Sequence, residues 1–416
     1  MNVRRTGIVL KPDQKKVILK PFEPYDKIRI TKIIQRILNL SEDEVKLELK
    51  IILENFESRH KNLSEKYIDR FEQVKKYHTE LNGISETRKK LIGAYFMMEF
   101  SLECSALFNP SMIWHPDQSN MPSGTKRFIL SLRATGEGHV SSLVFRSGTI
   151  DAHSSITLDA VSKFCEMPAI AETADENYVA SFDSHIDISE WTLIPQLPSR
   201  SHGIEDARFV CFEDDNGETT YYATYCAFDG LNISTRLLFT KDFLNFTVGK
   251  MNGAEVQNKG MALFPRKVNG KYAMLSRQDN ENNFIMFSDD LYNWNSKQLI
   301  MEPEFPWEYF QIGNCGSPIE TEKGWLCFSH GVGAMRQYTI GAFLLDKNDP
   351  SKLIGRLKQP LLSSNEIERE GYVPNVVYTC GGVINGRDLV LPYAMSDYSS
   401  SFAVVELDEL LKELTA

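Results

Sequence analysis

The amino-acid sequence predicts a mainly β protein, a five-bladed β-propeller preceded by an α-helical N-terminal region. Three observations lead to this prediction. Apolar residues recur at helical spacing in the first 100 residues, short β-rich segments follow them, and one kind of strand opening then repeats about every 55 residues. The expected domains are therefore a mostly helical region at residues 1–100 and a propeller at residues 101–416.

Composition narrows the range of partners. The 416-residue chain has a formal net charge of −10, which disfavours a surface that binds nucleic acid. The first 20 residues lack the apolar segment of a secretion signal, and no 18 apolar residues run together, so no membrane association is expected. The seven cysteines include no CxxC pair, which indicates reduced thiols and a cytoplasmic location.

The N-terminal region has the pattern of amphipathic helices. Apolar residues recur at spacings of three and four between Ile33 and Leu53, and Ser41 precedes three acidic residues as a helix N-cap would. Further helices are expected at residues 64–81 and from residue 85 towards residue 100. Because an apolar helix face must be buried, these helices are expected to have a structural role or to form a homo-oligomer interface.

The remainder of the chain has the pattern of strands and turns. Strands are expected at residues 127–132, 221–225, 272–275 and 388–393. Residues 240–246 and 288–294 share a hydroxyl residue, a following aspartate and a closing aromatic residue, so they predict equivalent turns.

Strand openings are expected at residues 108–111, 206–209, 262–265, 317–319 and 374–376. The first interval is nearly twice the others, so an insertion or long connection is expected at residues 154–197. A β-sandwich or jelly roll would also have many short strands, but not this period.

Polar residues at the openings of the inner strands of a propeller converge on its central channel. The candidates combine acids, amides and cations, as a site for a sugar and an anion requires. They are Asn109, Arg133, residues 136–139, Glu205, Asp206, Arg208, Asn258, Lys259, Arg277, Asn314, His330, Arg336, Tyr338, Asn375 and Asp397.

Each candidate also has a structural interpretation. Asp206 could stabilise a turn, Arg208 could pair with a neighbouring blade, and His330 could be a core histidine. Residues 331–333 lack the Gly-Lys-Ser/Thr of a P-loop. His-Glu-x-x-His and zinc-finger spacings are absent, so neither a metal nor another cofactor is expected.

Six segments of the sequence carry a family resemblance, namely residues 203–209, 258–265, 270–277, 317–325, 329–332 and 372–377. Together, and in this order, they resemble glycoside hydrolase family 130, which contains β-mannoside phosphorylases and some β-1,2-mannosidases. The likeness extends from about residue 106 to residue 405, and the helical N-terminus resembles a subgroup of longer members.

The resemblance implies a five-bladed propeller with an inverting mechanism. It makes Asp206 the general acid, which passes its proton through a hydroxyl of the bound mannose. It also implies that Asn109, Arg133 and Asp397 hold the mannose, and Arg208 and Asn375 are added as expected sugar contacts.

In the phosphorylases of this family, inorganic phosphate is the co-substrate and attacks the anomeric carbon to give α-mannose 1-phosphate. The implied phosphate ligands are Lys259, Arg277, His330, Arg336 and Tyr338. Gln311 departs from the pattern, because a basic residue is common there in phosphorylases. Four glutamates remain as candidate bases for a hydrolase, namely Glu205, Glu320, Glu368 and Glu370.

Three functions are therefore expected, in this order. The first is inverting phosphorolysis of β-1,2-linked mannosides, because several fixed cations suit a charged nucleophile. The second is an inverting β-1,2-mannosidase, in which a carboxylate activates water. The third is a non-catalytic propeller that binds glycans. The linkage, the chain length, the acceptor sugar and the oligomeric state stay open.

Overall fold

The computed structural model describes residues 2–79, 81–173, 177–194, 203–228 and 233–416. In this part of the chain most regular structure is β. The helices are α1 (Lys27–Leu38), α2 (Glu42–Phe56), α3 (Leu63–Val74), α4 (Glu86–Tyr95) and α5 (Leu407–Leu414). The strands that precede residue 203 are β1 (Val3–Leu10), β2 (Val17–Pro21), β3 (Met97–Ser101), β4 (Ala106–Trp114), β5 (Lys126–Thr135), β6 (Ser141–Ile150), β7 (Ile156–Leu158), β8 (Ala169–Glu172), β9 (Tyr178–Ser181) and β10 (Thr192–Leu193).

The later strands are β11 (Gly203–Glu213), β12 (Thr219–Phe228), β13 (Ile233–Thr240), β14 (Asn245–Lys250), β15 (Ala262–Leu263), β16 (Tyr272–Ser276), β17 (Asn283–Ser288), β18 (Gln298–Met301), β19 (Gln311–Asn314), β20 (Ile319–Thr321), β21 (Gly324–Val332), β22 (Tyr338–Leu345), β23 (Leu353–Arg356), β24 (Val377–Tyr378), β25 (Val383–Asn385), β26 (Asp388–Met395) and β27 (Ser399–Glu406). The four strands that the sequence predicts correspond to β5, β12, β16 and β26.

The chain divides into two compact units. The smaller unit comprises residues 14–102 and 162–166, and the larger unit comprises the rest of the chain. The division expected at residue 100 lies close to Leu102, whereas the first 13 residues belong to the larger unit. Strand β1 pairs with β27, so the N-terminus of the chain contributes an edge strand to the last sheet.

The smaller unit contains helices α1 to α4 and the antiparallel strand pair β2–β3, which flanks these helices in the chain. The Ser41 side chain accepts a hydrogen bond from the Glu44 N–H, and the Glu44 carboxylate accepts one from the Ser41 N–H. This capping box confirms the predicted N-cap of α2. The helices bury one shared apolar core that includes Ile34, Val45 and Leu91. The last predicted helix ends at Tyr95, and strand β3 follows it.

The described strands of the larger unit pair mainly with their neighbours in the chain. One sheet joins β4–β5–β6 to β11–β12–β13–β14 and then to β9 and β8. A second sheet has the order β15–β16–β17–β18, a third β19–β21–β22–β23 and a fourth β1–β27–β26–β24. Apart from the parallel contact of β6 with β11, these sheets are antiparallel, and they confirm the mainly β prediction.

Residues 154–197, where the sequence predicts an insertion, carry the short strands β7 to β10. Strands β7 and β10 pair with β6, whereas β9 pairs with β14. The insertion therefore extends the first sheet at two places, next to β6 and next to β14.

The two predicted turns have equivalent hydrogen bonds. Asp242 Oδ1 accepts from the Leu244 N–H at 2.8 Å, and Asp290 Oδ1 accepts from the Tyr292 N–H at 2.8 Å. The closing aromatic residues, Phe246 and Trp294, are fully buried. Each turn thus orders its backbone through an aspartate and buries a large ring, which explains why the motif repeats.

Candidate active site

The larger unit contains a cavity of about 260 Å³. Its volume lies just below the range of about 300–1,000 Å³ that is usual for ligand pockets, so it suits a small polar ligand such as a sugar unit. Ten of the residues proposed from the sequence line it, namely Asn109, Arg133, His139, Asp206, Lys259, Arg277, His330, Arg336, Tyr338 and Asp397.

Asn109 and Asp206 occupy matching irregularities in two strands. The pairing register shifts at Asn109 in β4 and at Asp206 in β11, and both residues have positive φ angles, of 50° and 53°. Asparagine and aspartate tolerate this left-handed conformation better than other residues with a Cβ atom. Such bulges re-aim a side chain out of the regular alternation of a strand. They bring these two side chains together in the cavity wall.

The Asp206 carboxylate is almost fully buried, with 8% of the residue exposed. Its Oδ1 accepts hydrogen bonds from Asn109 Nδ2 at 2.6 Å and from Arg133 Nη1 at 3.4 Å. Burial acts to raise the pKa of Asp206. The nearby charges of Arg133, Arg208 and Lys259 and the Asn109 hydrogen bond outweigh burial, and they hold this pKa below its usual value. Asp206 is therefore ionised in the free cavity at neutral pH.

Arg133 lies between two carboxylates. Its Nη2 donates to Glu205 Oε1 at 2.6 Å, and its Nη1 lies 3.4 Å from Asp206 Oδ1. The guanidinium carbon is 5.0 Å from the centre of the Phe108 ring, which supports it from one side. Glu205 is thus engaged in an ion pair and does not line the cavity.

Two hairpins present basic side chains to the cavity with the same backbone geometry. Gly136 and Gly333 have nearly identical angles, with φ of −106° in both and ψ of −158° and −159°. Each hairpin then contains two consecutive residues with positive φ, of which the second is His139 or Arg336. Both of these side chains line the cavity, so the β5–β6 and β21–β22 hairpins are structural equivalents.

Asp397 is the second carboxylate that lines the cavity among the described residues. It lies in the β26–β27 turn, where Ser396 and Asp397 have positive φ angles of 50° and 48°. Burial, together with the negative charge of Asp206, raises the pKa of Asp397 to about 6. As the pH falls, Asp397 therefore becomes protonated before Asp206.

Arg277 and His330 form a cationic cluster in the same cavity, in which Arg277 carries the charge. Both are more than 90% buried, and Arg277 Nη1 lies 3.4 Å from His330 Nε2. Burial and the charges of Arg277, Arg208 and Lys259 hold the pKa of His330 well below its usual value, so its ring is neutral. Arg277 Nε and His330 Nδ1 have no hydrogen-bond partner.

Gln311 and Gly313 adjoin this cluster from β19. In the amide orientation that satisfies both ends of Gln311, its oxygen accepts from Arg277 Nη1 at 3.2 Å. A Cβ atom on Gly313 would lie 2.3 Å from His330 Cε1 and 2.8 Å from Arg277 Cδ. Glycine at this position lets both side chains approach the strand.

Aromatic rings complete the wall next to His330. The Tyr338 ring is stacked on His330 at 5.8 Å with an interplanar angle of 14°, and the Tyr378 ring lies 5.3 Å from it. On another part of the wall, Tyr372 lies 5.9 Å from His139. These rings restrict the ring positions of both histidines.

Two predicted sugar contacts do not line the cavity. All three side-chain nitrogens of Arg208 donate to protein atoms, namely the carbonyl oxygens of Cys315 and Asp206 and the hydroxyl of Tyr378. Asn375 Oδ1 accepts from Arg369 Nε at 2.9 Å in a surface turn. The structure therefore does not bring either residue into the cavity.

The other candidate bases also lie elsewhere. Glu320 pairs with Arg266 at 2.7 Å and Lys347 at 3.1 Å, and the buried Glu368 pairs with Arg5 at 2.8 Å. Glu370 is exposed. None of these glutamates lines the cavity.

Sequence reasoning did not select several aromatic and polar residues of the wall as site residues. They are Phe108, Thr135, Tyr372 and Tyr378. A signal existed for one of them, because Tyr372 opens a segment that resembles the family. Phe108 and Tyr378 read as ordinary apolar strand residues.

No described helix is long and apolar enough to cross a membrane. No cluster of three or more His, Cys, Asp or Glu side chains suited to a metal occurs in the described part of the chain.

A solved structure shares the fold of most of this chain. The β-1,2-mannobiose phosphorylase from Listeria innocua in complex with β-1,2-mannobiose has a TM-score of 0.56 with 23% sequence identity, over 76% of this chain and 93% of that chain. This likeness establishes the fold, whereas the family match and the named relatives make the protein a glycoside phosphorylase or a glycoside hydrolase.

The chain belongs to glycoside hydrolase family 130. The model of that family, described as β-1,4-mannooligosaccharide phosphorylase, matches residues 182–416. A 1,2-β-oligomannan phosphorylase of Thermoanaerobacter sp. is 36% identical over 212 residues, which is 50% of this chain and 70% of that protein. A β-1,2-mannobiose phosphorylase of Listeria innocua is 33% identical over 230 residues, which is 53% of this chain and 63% of that protein.

Proposed function

We propose that this protein is an inverting phosphorylase that cleaves β-1,2-linked mannosides with inorganic phosphate and releases α-mannose 1-phosphate. Two relatives named for activity on β-1,2-mannosides support the linkage, although the family model carries a description of β-1,4 activity. The choice of phosphate over water rests on the cavity itself.

The observation that carries this proposal is the composition of the cavity wall. One wall combines the buried carboxyl group of Asp206 with the cations Lys259, Arg277 and Arg336. Several fixed cations suit a phosphate dianion, because charge-assisted hydrogen bonds to phosphate are strong and directional. None of the four glutamates considered as bases lines this wall, which disfavours water as the nucleophile.

The proposed reaction is a single displacement. A phosphate oxygen attacks the anomeric carbon while the bond from that carbon to the glycosidic oxygen breaks. The leaving oxygen takes a proton that comes from Asp206 through a hydroxyl of the mannose ring. Attack and departure occur on opposite faces of the ring, so the β-mannoside gives the α-phosphate.

The charge state of Asp206 suggests how phosphate and acid cooperate. Cations hold the pKa of Asp206 low in the free cavity, and an ionised carboxylate has no proton to give. A bound phosphate dianion adds negative charge near the same cations, which raises the pKa of a neighbouring carboxyl group. Binding of the co-substrate therefore favours the protonated form of Asp206 that catalysis needs.

Asn109, Arg133 and Asp397 are proposed to hold the mannose ring. Asn109 already orients Asp206 through Nδ2, while its buried Oδ1 has no partner and can accept from a sugar hydroxyl. Arg277 Nε and His330 Nδ1 are likewise unpartnered, and both suit phosphate oxygens. Unpaired buried polar groups are costly, so a ligand that satisfies them gains affinity.

The hydrolase remains the second candidate, because one observation favours it. Asp397 is a cavity carboxylate with a pKa raised to about 6, which is suited to a general base. In that case water would take the place of phosphate, and Asp397 would accept its proton.

We also propose that the larger unit is a five-bladed propeller. Five groups of strands support this, namely β4–β7, β11–β14, β15–β18, β19–β23 and β24–β27 with β1. Pairing of β1 with β27 joins the two ends of this unit in one sheet, as a closed propeller requires.

We further propose a location, a cofactor requirement and an oligomer contact for this protein. The seven cysteines are free thiols, which supports a cytoplasmic location. We propose no cofactor beyond the phosphate co-substrate, and no nucleic acid or membrane partner. Exposed apolar residues of the helical unit, including Phe22, Ile28 and Leu47, support a homo-oligomer contact. Light scattering of the purified protein tests that contact.

The decisive experiment is product analysis of the purified protein on β-1,2-mannobiose and β-1,2-mannotriose, with and without phosphate. Mannose 1-phosphate that forms only with phosphate, in the α configuration by NMR, supports the phosphorylase. Free mannose at the same rate in both conditions identifies the hydrolase. Parallel reactions with β-1,4-mannobiose test the linkage.

A further inference from the structure

A buried arginine connects two parts of the cavity wall. Arg208 is 1% exposed, and its Nη1 donates to the Asp206 carbonyl oxygen at 2.9 Å. Its Nη2 donates to the Tyr378 hydroxyl at 2.8 Å, and its Nε donates to the Cys315 carbonyl oxygen at 2.5 Å. A planar guanidinium with these contacts fixes the relative positions of three strand segments, which a lysine cannot do.

Tyr378 continues this connection to the cationic cluster. Its ring lines the cavity and lies 5.3 Å from the ring of His330 at an angle of 57°. Tyr338 stacks on the same imidazole, so two rings define its position. Through Tyr378, Arg208 is therefore linked to His330, and through a backbone carbonyl it is linked to Asp206.

We propose that Arg208 and Tyr378 are a positioning pair that sets the distance between the proton donor Asp206 and the anion-binding residue His330. The proposal rests on the proposed function for the roles of these two residues. Nucleophilic attack and protonation act on one substrate at once, so both groups must be held at a fixed separation. The pair replaces the direct sugar contact that the sequence suggested for Arg208.

The hydrogen bond from Arg208 to the Asp206 carbonyl oxygen stabilises an unusual backbone conformation at Asp206. Asp206 has a left-handed conformation, with φ of 53°, inside a strand. Such a conformation persists only where surrounding contacts stabilise it. The hydrogen bond from Arg208 to the Asp206 carbonyl is such a contact. The positive charge of Arg208 also lowers the pKa of both Asp206 and His330.

The test is the variant Tyr378→Phe, which keeps the ring against His330 but removes the acceptor for Arg208 Nη2. The matched control is Tyr221→Phe, a buried tyrosine outside the cavity whose hydroxyl hydrogen-bonds Cys211. Melting temperature, kcat, the KM for β-1,2-mannobiose and calorimetric affinity for inorganic phosphate are measured for both. A second variant, Arg208→Lys, keeps the charge and loses the planar geometry.

We expect Tyr378→Phe to lower kcat by about 10-fold or more, since small misplacements of reacting groups cost up to about 10²-fold. Phosphate affinity should also fall, while the KM for mannobiose changes less than about twofold. Tyr221→Phe should leave kcat, phosphate affinity and the KM for mannobiose unchanged. Wild-type kcat and phosphate affinity in a folded Tyr378→Phe protein would overturn the proposal, as would an equal loss of kcat in Tyr221→Phe.

The result is separable from a failure of the proposed function. If the wild-type protein binds no phosphate and releases free mannose, the phosphorylase proposal fails on the wild type alone. The positioning role is then judged on kcat for hydrolysis in the same variants. A kcat for Arg208→Lys equal to that of the wild type would contradict the role under either chemistry.

Discussion

Asn109 donates a hydrogen bond of 2.6 Å to the carboxylate of Asp206, and the two residues occupy matching bulges of strands β4 and β11. Neither side chain would face the other if its strand continued in a regular register, because successive side chains alternate between faces. The same local irregularity, repeated in two strands, thus builds the carboxylate end of the cavity.

Replacement of Asp206 tests the proposed acid. Asp206→Asn should lower kcat by 10²–10⁴-fold, because a positioned general acid contributes about that factor and an amide has no proton to transfer. The measurement is kcat for β-1,2-mannobiose with saturating phosphate, together with the melting temperature. Asp388→Asn, at the start of β26 and outside the cavity lining, is the control. A rate near that of the wild type would remove Asp206 from the mechanism.

Replacement of Arg277 tests the phosphate site. Arg277→Ala should raise the KM for phosphate at least about 10-fold, because a charge-assisted contact is worth roughly 1.5–3 kcal/mol. The KM for the mannoside should change little. Arg266→Ala serves as the control, since Arg266 pairs with Glu320 at 2.7 Å outside the cavity. Unchanged phosphate dependence would show that Arg277 does not bind the nucleophile.

Replacement of Gly313 tests the packing behind the cationic cluster. A Cβ atom there would lie 2.3 Å from His330 Cε1, so Gly313→Ala should displace the imidazole and weaken phosphate binding by about 10-fold or more. The control is Gly249→Ala, because Gly249 does not line the cavity. A Cβ atom there would lie 2.9 Å from the Tyr292 ring. Equal phosphate KM values for Gly313→Ala and the wild type would mean that His330 can move without loss of binding.

The raised pKa of Asp397 predicts the acid limb of the pH profile. If the ionised carboxylate accepts a mannose hydroxyl, kcat/KM should fall as the pH drops through about 6. Asp397→Asn should lower kcat/KM and remove this limb. Measurement of kcat/KM between pH 4.5 and 8 at constant ionic strength decides the point. A limb that persists unchanged in Asp397→Asn would assign it to another group.

The raised pKa of Asp397 also affects the stability of the protein. The pKa of Asp397 is about 6 in the folded protein, whereas its ordinary value is 3.8. Between these two pH values the folded state therefore binds a proton that the unfolded state has lost. The free energy of unfolding should therefore fall as the pH rises from about 4 to about 6. In Asp397→Asn the contribution of residue 397 to this fall in the free energy of unfolding should disappear. Urea unfolding at several pH values can measure the difference. Parallel curves for the two proteins would contradict the raised pKa.

Patterns of near neighbours in the sequence predicted local structure well. The N-cap at Ser41, the paired turns around Asp242 and Asp290 and the strands β5, β12, β16 and β26 were all predicted correctly. These features depend on contacts within a few residues, so residue types at fixed spacing are sufficient to specify them. The strand β1 was not predicted, because its partner β27 lies at the other end of the chain.

The sequence by itself determined a mainly β chain, its helical segment and a set of ten cavity residues, which regular spacing and family motifs located. Only the tertiary structure decided that Arg208 lies behind the wall, that Glu320 and Glu368 form ion pairs elsewhere, and that Tyr378 faces His330. The physical reason is that burial and charge pairing depend on side chains that meet from distant strands. The residue type specifies which groups a side chain can bond to, whereas the fold specifies which of those groups lie within its reach.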